Sequence, residues 1–299
     1  MKITNDVVLQ ATHQLFQNMF DYDDVGLLVT TSENTLLSFI EDQKYVPQLN
    51  NNNSIKGIFC TQEIASSDLI RADIDLIIVD EPKWFFFSIV DYLAKNQERQ
   101  STIIDSSSEI SPQAYISPVG VKIGKNCKID PNVTILSDVT IGDNVIIRAG
   151  SVLGTDGFEH KKTTRGILSV AHNGEVIIHN NVEIGANSHV AKGFSYRPTI
   201  IGESTKLDAF VHYAHGVQCG KECLIVAHAM IGGNVDIGNN VWIGPSAVIT
   251  NRIVLEDNCF VTLGAVVTRS VKNGETVTGN FAIPHQKFLK NFKRSLSND

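Results

Sequence analysis

Apolar positions divide this chain into two regimes. Over 201–267 an aliphatic or substitutable residue recurs every sixth position, at Ile201, Leu207, Tyr213, Cys219, Ile225, Ile231, Ile237, Ile243, Ile249, Leu255, Val261 and Val267. Four residues after each stands a small or β-branched one, as at Thr205, Val211, Val217, Cys223, Ala229 and Val235. Glycine often follows the aliphatic directly (Gly202, Gly220, Gly232, Gly238, Gly244), where a corner residue tolerating positive φ is expected. Such a hexad predicts a short strand with two inward side chains and a tight corner. Three hexads, about 18 residues, close one turn of a triangular coil, and stacked coils share one core.

The rhythm begins earlier, at Ile104, Ile110 and Ile116, slips by one residue around Gly120, and continues from Ile123 to Leu153. It stops over 154–175, resumes at Ile178, Ile184 and Val190, and breaks again over 192–199. A solenoid carries such insertions as loops on one face, often the functional one. Residues 1–103 show no hexads and read as a small α/β domain. It has a helical pattern over 5–19, strand-like runs at 26–31, 35–39, 55–60 and 76–79, a polar loop at 50–53, and a helix over 82–96 with Pro in its first turn. The coil is expected over 104–277 and a tail over 278–299, with a short helix at about 284–297. That helix carries Lys287, Lys290, Lys293 and Arg294, a charge run read first as a solvated face and second as a binding surface.

Composition narrows the function classes. With 299 residues, 42% of them hydrophobic, the chain can bury a sizeable core and hold two domains. A net charge of −7 argues against a bulk nucleic-acid binder. There is no apolar run of transmembrane length and no signal-peptide core after Met1, so a cytoplasmic protein without a membrane span is expected. Four of the five cysteines (Cys127, Cys219, Cys223, Cys259) occupy inward hexad positions and read as buried reduced thiols. Cys219 and Cys223 lack the second pair that a zinc site of that type needs.

Seven of the nine histidines fall between His160 and His228. His212 and His215 flank the inward Tyr213, so both are expected outside the coil at a corner, as a surface or interface pair or as a base working near neutral pH. Thr155-Asp-Gly-Phe opens the first insertion as a turn sequence. Gly233 lies three hexads after His215, which stacks its backbone N–H beside the imidazole. A base beside a free backbone donor is what acyl transfer requires.

These residues carry a resemblance. The chain resembles the left-handed β-helix acyltransferases, most closely the UDP-3-O-(3-hydroxyacyl)glucosamine N-acyltransferases of lipid A biosynthesis and related nucleotide-sugar N-acyltransferases. Leu37-Ser-Phe-Ile-Glu-Asp-Gln-Lys-Tyr is similar to the family's uracil-sandwich segment, Leu153-Gly-Thr-Asp-Gly-Phe to its Gly-Ser-Asp-Gly-Phe loop, and Tyr213-Ala-His-Gly to the segment around its catalytic histidine. Gly174-Glu-Val-Ile-Ile-His-Asn-Asn-Val-Glu-Ile-Gly-Ala follows its Gly-x-Val-x-Ile…Val-x-Ile-Gly-Ala run. The implied fold is mainly β: a left-handed parallel β-helix of hexapeptide repeats, preceded by a small α/β nucleotide-binding domain and followed by a short helix.

The resemblance implies that His215 is the general base, Gly233 the oxyanion donor and His212 its companion in a His-x-x-His pair. Phe39 and Tyr45 would sandwich the base of the nucleotide. Asp156, Phe158, His172, His228, Asn234 and Arg252 complete the expected substrate-binding set. Ala171-His172 stands where the family has Pro-Gln, and Arg252 where it has a second histidine. The partners implied are a nucleotide-sugar substrate, two further copies in a homotrimer, and coenzyme A or acyl carrier protein as thioester donor, with no metal or organic cofactor. The short tail and Arg252 point to coenzyme A and surface-glycan synthesis; the basic tail points to a carrier protein and lipid A. A third reading, a zinc site of γ-class carbonic anhydrase type, would use His212, His215 and His228.

Overall fold

In the computed structural model each hexad becomes a two- or three-residue strand, an extended link and a corner. Strands one coil apart pair in parallel, with registers such as Tyr213↔Ile231 and Ile231↔Ile249. The pairs build three parallel sheets of eight, nine and eight strands, the left-handed β-helix, between Ile103 and Val277. Residues 2–194, 196–279 and 282–296 are described. Asn280, Phe281, Ser297, Asn298 and Asp299 of the expected tail lie outside the described residues.

Both inward positions of each hexad are buried, from Val121 to Val271, in one continuous core. Even Tyr213 is fully enclosed, its hydroxyl donating to the Ile200 carbonyl at 2.8 Å. The five cysteines are free and buried, as the hexad positions predict for Cys127, Cys219, Cys223 and Cys259.

The corner falls elsewhere than expected. Left-handed φ occurs three residues after the aliphatic, at Ser204, Phe210, Glu222, His228, Asn234 and Arg252, rather than at the following glycine. Those glycines answer a different demand. A Cβ on Gly202 would lie 2.1 Å from the Gly220 carbonyl oxygen, and one on Gly244 would lie 2.7 Å from the Leu263 nitrogen. The backbone of the next coil leaves no room for a side chain.

The N-terminal region is a four-stranded parallel sheet of Asp24–Val25, Leu36–Ile40, Ile55–Cys60 and Asp75–Ile78. The first helix is Asn5–Thr12, shorter than the 5–19 pattern, because His13 turns left-handed (φ 55) and its N–H caps the Leu9 carbonyl. The apolar run at 26–31 is a turn, closed by Thr30, whose hydroxyl accepts from Leu27 N–H at 3.1 Å. The helix Pro82–Lys95 packs on this sheet.

The first insertion leaves the coil as an antiparallel hairpin, His160–Thr163 with Gly166–Ser169. It is clamped to the Pro82–Lys95 helix and its N-cap. Thr164 donates from its amide and hydroxyl to the two Glu81 carboxylate oxygens at 2.6 and 2.8 Å. The Arg165 guanidinium lies 4.1 Å from the Trp84 ring centre, and Ala171 N–H donates to Asp91 at 2.9 Å. The N-terminal domain thereby fixes both ends of the hairpin against the coil. The C-terminal helix His285–Leu296 exposes Phe288 and Phe292. No helix among the described residues is long and apolar enough to cross a membrane.

Candidate active site

His215 and Gly233 occupy equivalent corners of successive coils, and the Asn234 N–H donates to the His215 carbonyl at 2.9 Å. The imidazole lies over the glycine: a Cβ on Gly233 would be 2.6 Å from His215 Nε2. Among the described residues the Gly233 N–H has no acceptor, whereas its carbonyl accepts from Arg252 N–H at 3.0 Å. A histidine and an unengaged backbone donor therefore share one small space.

The hairpin closes that space from the other side. Gly157 lies against both His215 and His172; a Cβ there would be 2.7 Å from His215 Cδ2 and 2.8 Å from His172 Nε2. The two rings meet edge to face, with centroids 5.3 Å apart. Glu159 completes the group: one ligand-type atom each from Glu159, His172 and His215 lies within 4.8 Å of the others. Its carboxylate is also ion-paired with Lys161, whose ammonium sits 4.3 Å from the Phe87 ring centre.

His172 is fully enclosed and, among the described residues, neither ring nitrogen has a partner, nor does Nδ1 of the half-buried His215. Burial pushes the His172 pKa down to about 4, and the charge of His215 adds to that. Burial also lowers His215, against the opposing pull of the Glu159 carboxylate. Both imidazoles are thus held toward the neutral form, which is the form that accepts a proton.

An ionic chain orders the loop behind this cluster. The Arg99 guanidinium binds Asp138 through two 2.8 Å bonds. Lys192 bridges Asp138 (3.6 Å) to Asp156 (3.3 Å), and Asp156 accepts the His172 backbone N–H at 3.2 Å.

The expected positions separate into groups. His215, Gly233 and His172 converge, while Asp156 touches the cluster only through the backbone. His212 does not pair with His215; it stacks on His189 of the preceding coil, centroids 5.0 Å apart. His228 stacks on Phe210 at 4.9 Å on another corner, so His212, His215 and His228 do not converge within one chain as a metal triad. Phe158 is exposed and meets His160; Asn234 and Arg252 hold left-handed corners beside Gly233. Phe39 packs on Phe86 and Phe87, with centroids 4.9 and 5.5 Å away, and Tyr45 is exposed on the following turn. Glu159 is the residue that spacing did not suggest. The only signal was its place inside the break in the rhythm.

Comparison with known proteins gives the same architecture. Residues 120–155 match the family "Bacterial transferase hexapeptide (six repeats)", and 234–269 match "Hexapeptide repeat of succinyl-transferase". The UDP-3-O-acylglucosamine N-acyltransferase of Wolinella succinogenes is 34% identical over 166 residues, covering 55% of this chain and 52% of that one. The Caulobacter vibrioides protein of the same name is 36% identical over 164 residues, covering 55% and 48%. The chain thus spans about half the length of the curated relatives it matches. Among solved structures, the UDP-N-acetylglucosamine acyltransferase from Campylobacter jejuni superposes with a TM-score of 0.52 at 19% identity, covering 66% of this chain and 81% of that one. That likeness is one of fold.

Proposed function

We propose that this chain is an N-acyltransferase that moves an acyl group from a thioester to the amine of a nucleotide-linked amino sugar. The observation that carries the reading is His215 lying against Gly233, whose N–H is unengaged, across one coil step. In this reading His215 takes a proton as the amine attacks the thioester carbonyl. The Gly233 N–H donates to the oxyanion that develops, and the thiol leaves. Phe39 and Tyr45 hold the nucleotide base at the N-terminal sheet, each ring contributing about 0.5–1.5 kcal/mol.

The relatives are named for UDP-3-O-acylglucosamine, which favours an acceptor of that class, and with it the lipid A reading, over the glycan-decorating one. A homotrimer is supported by two outward apolar ladders, Leu224–Trp242–Phe260 on one sheet and Met230–Val248–Val266 on the next. Most of these side chains are exposed in the single chain. Light scattering is expected to give three times the 32.8 kDa chain mass.

The test is product detection by mass spectrometry with UDP-3-O-acylglucosamine as acceptor, acetyl-CoA and 3-hydroxyacyl carrier protein as separate donors, and His215→Ala as control. Turnover with the carrier protein that disappears in His215→Ala supports the reading and fixes the donor. Full activity in His215→Ala refutes the mechanism.

A further inference from the structure

Resting on that reading, we propose that Glu159, His172 and His215 form a cradle for the acceptor's amine in its charged, ammonium form, with Glu159 taking the first of the two protons the amine must lose. His172 is fully enclosed, yet among the described residues both its ring nitrogens lack a partner, and Nδ1 of His215 is unpartnered too. Burying such groups without a hydrogen bond is costly, so the arrangement implies a donor that arrives with the substrate.

The geometry has room for a charged amine as that donor. The three side chains each offer an acceptor atom within 4.8 Å of the other two. An ammonium whose N–H groups reach acceptors at about 2.9 Å holds them roughly 4.7 Å apart, because its hydrogens point tetrahedrally. The cluster, spread over no more than 4.8 Å, accommodates the ammonium spacing. Its charge fits too: the cluster holds one carboxylate for the cation, and Lys161 steadies that carboxylate through Glu159 Oε1. Gly157 packs against both imidazoles, where a Cβ would press on each.

The protons then balance. The bound ammonium gives its first proton to Glu159, which passes it to solvent, and the amine becomes nucleophilic. As the N–C bond forms, the second proton goes to His215; as the C–S bond breaks, His215 returns that proton to the departing thiolate. One amide, one thiol and one solvent proton result. A hydroxyl acceptor carries one proton and no charge, so this cradle also selects amines over alcohols.

Calorimetry at pH 6.5 tests the cradle without the acyl-transfer reaction, using UDP-glucosamine and UDP-glucose, which differ by amine against hydroxyl. The wild-type protein is expected to bind the amine at least tenfold more tightly. Glu159→Gln is expected to abolish that preference while binding UDP-glucose as before, with an unchanged melting temperature showing that the variant is folded. Equal affinities in the wild type, or a preference that survives Glu159→Gln, would overturn the proposal. So would stoichiometric Zn2+ binding that requires Glu159 and His172. If acyl transfer depends on His215 but Glu159→Gln keeps the preference, the cradle fails while the general-base reading stands.

Discussion

Replacing Gly157 by alanine isolates how the hairpin seats the two imidazoles. The new methyl would lie 2.7 Å from His215 Cδ2, 2.8 Å from His172 Nε2 and 2.9 Å from His215 Cβ, against an ordinary contact of 3.4 Å or more. His215 is struck at both the root and the ring, so rotating the ring alone does not relieve the contact. His172 is fully enclosed and its backbone N–H is tied to Asp156, so it has little room to retreat. The imidazole of His215 must therefore move by roughly 0.5–0.7 Å, or the loop must lift. Overpacking of this kind costs about 1–3 kcal/mol, and misplacing a reacting group by about 1 Å costs on the order of 100-fold in rate.

The expected result for Gly157→Ala is a kcat/KM lowered about 100-fold in the transfer assay, moved histidine side-chain resonances, and an intact coil by circular dichroism. Gly202→Ala is the contrast. There the methyl meets the Gly220 carbonyl oxygen at 2.1 Å, backbone against backbone, far from His215. That variant should lose stability by several kcal/mol and express poorly, since neither coil can yield. Wild-type turnover in Gly157→Ala, with histidine resonances unmoved, would refute the idea that the insertion seats His215.

Two further predictions concern stability. His172 titrates near 4 when folded, against about 6.5 in the unfolded chain, so between those values the unfolded chain binds the extra proton. The stability of the neutral, buried ring is whole above pH 6.5 and is lost progressively as pH falls toward 4, by at most roughly 3 kcal/mol. Urea denaturation across that range should show a shallower pH slope in His172→Gln; an equal slope would mean the ring is not kept neutral by burial. Asp138→Asn keeps a residue type that accepts the left-handed φ of 66 but leaves Arg99 and Lys192 without their shared carboxylate. Breaking so buried a pair should cost about 3–5 kcal/mol in chemical denaturation, and a loss under 1 kcal/mol would show the chain of charges to be incidental.

The coil was legible because its signal is periodic. An inward aliphatic every six residues leaves one strand direction and one corner, and 12 successive hexads over 201–267 repeat the same instruction. The role of the glycines after each aliphatic is not legible, because sequence shows that a small residue is needed without showing why. Gly202 meets a neighbouring backbone, while the left-handed corner tolerates Ser204 or Phe210. The first helix was over-extended for a related reason: apolar residues continue past Thr12, but the left-handed turn at His13 sends them onto the sheet as a loop. At the site, His215 and Gly233 could be placed together by counting three hexads. Glu159 and His172 could not, because no count crosses an insertion whose path is set by Glu81, Trp84 and Asp91 of another domain.

That division has a geometric cause. In a regular coil the neighbour of an outward side chain is its equivalent one turn away, in the same orientation. The ladder pairs show this: His189 on His212, Phe210 on His228 and Trp242 on Phe260 stack with interplanar angles of 1°, 0° and 3°. Parallel side chains share a surface but do not aim at a common point. Convergence needs a segment that leaves the register and returns at an angle, as the hairpin does in setting His172 at 74° to His215. The second break does the same from behind. Its Lys192 holds the loop carboxylates, and its Arg197 donates to the Gly216 carbonyl at 2.7 Å and to Asp236 at 2.8 Å, bracing the corner that carries His215. The repeat builds a rigid rail, and the two interruptions of its rhythm supply the groups that turn one corner of that rail into a site.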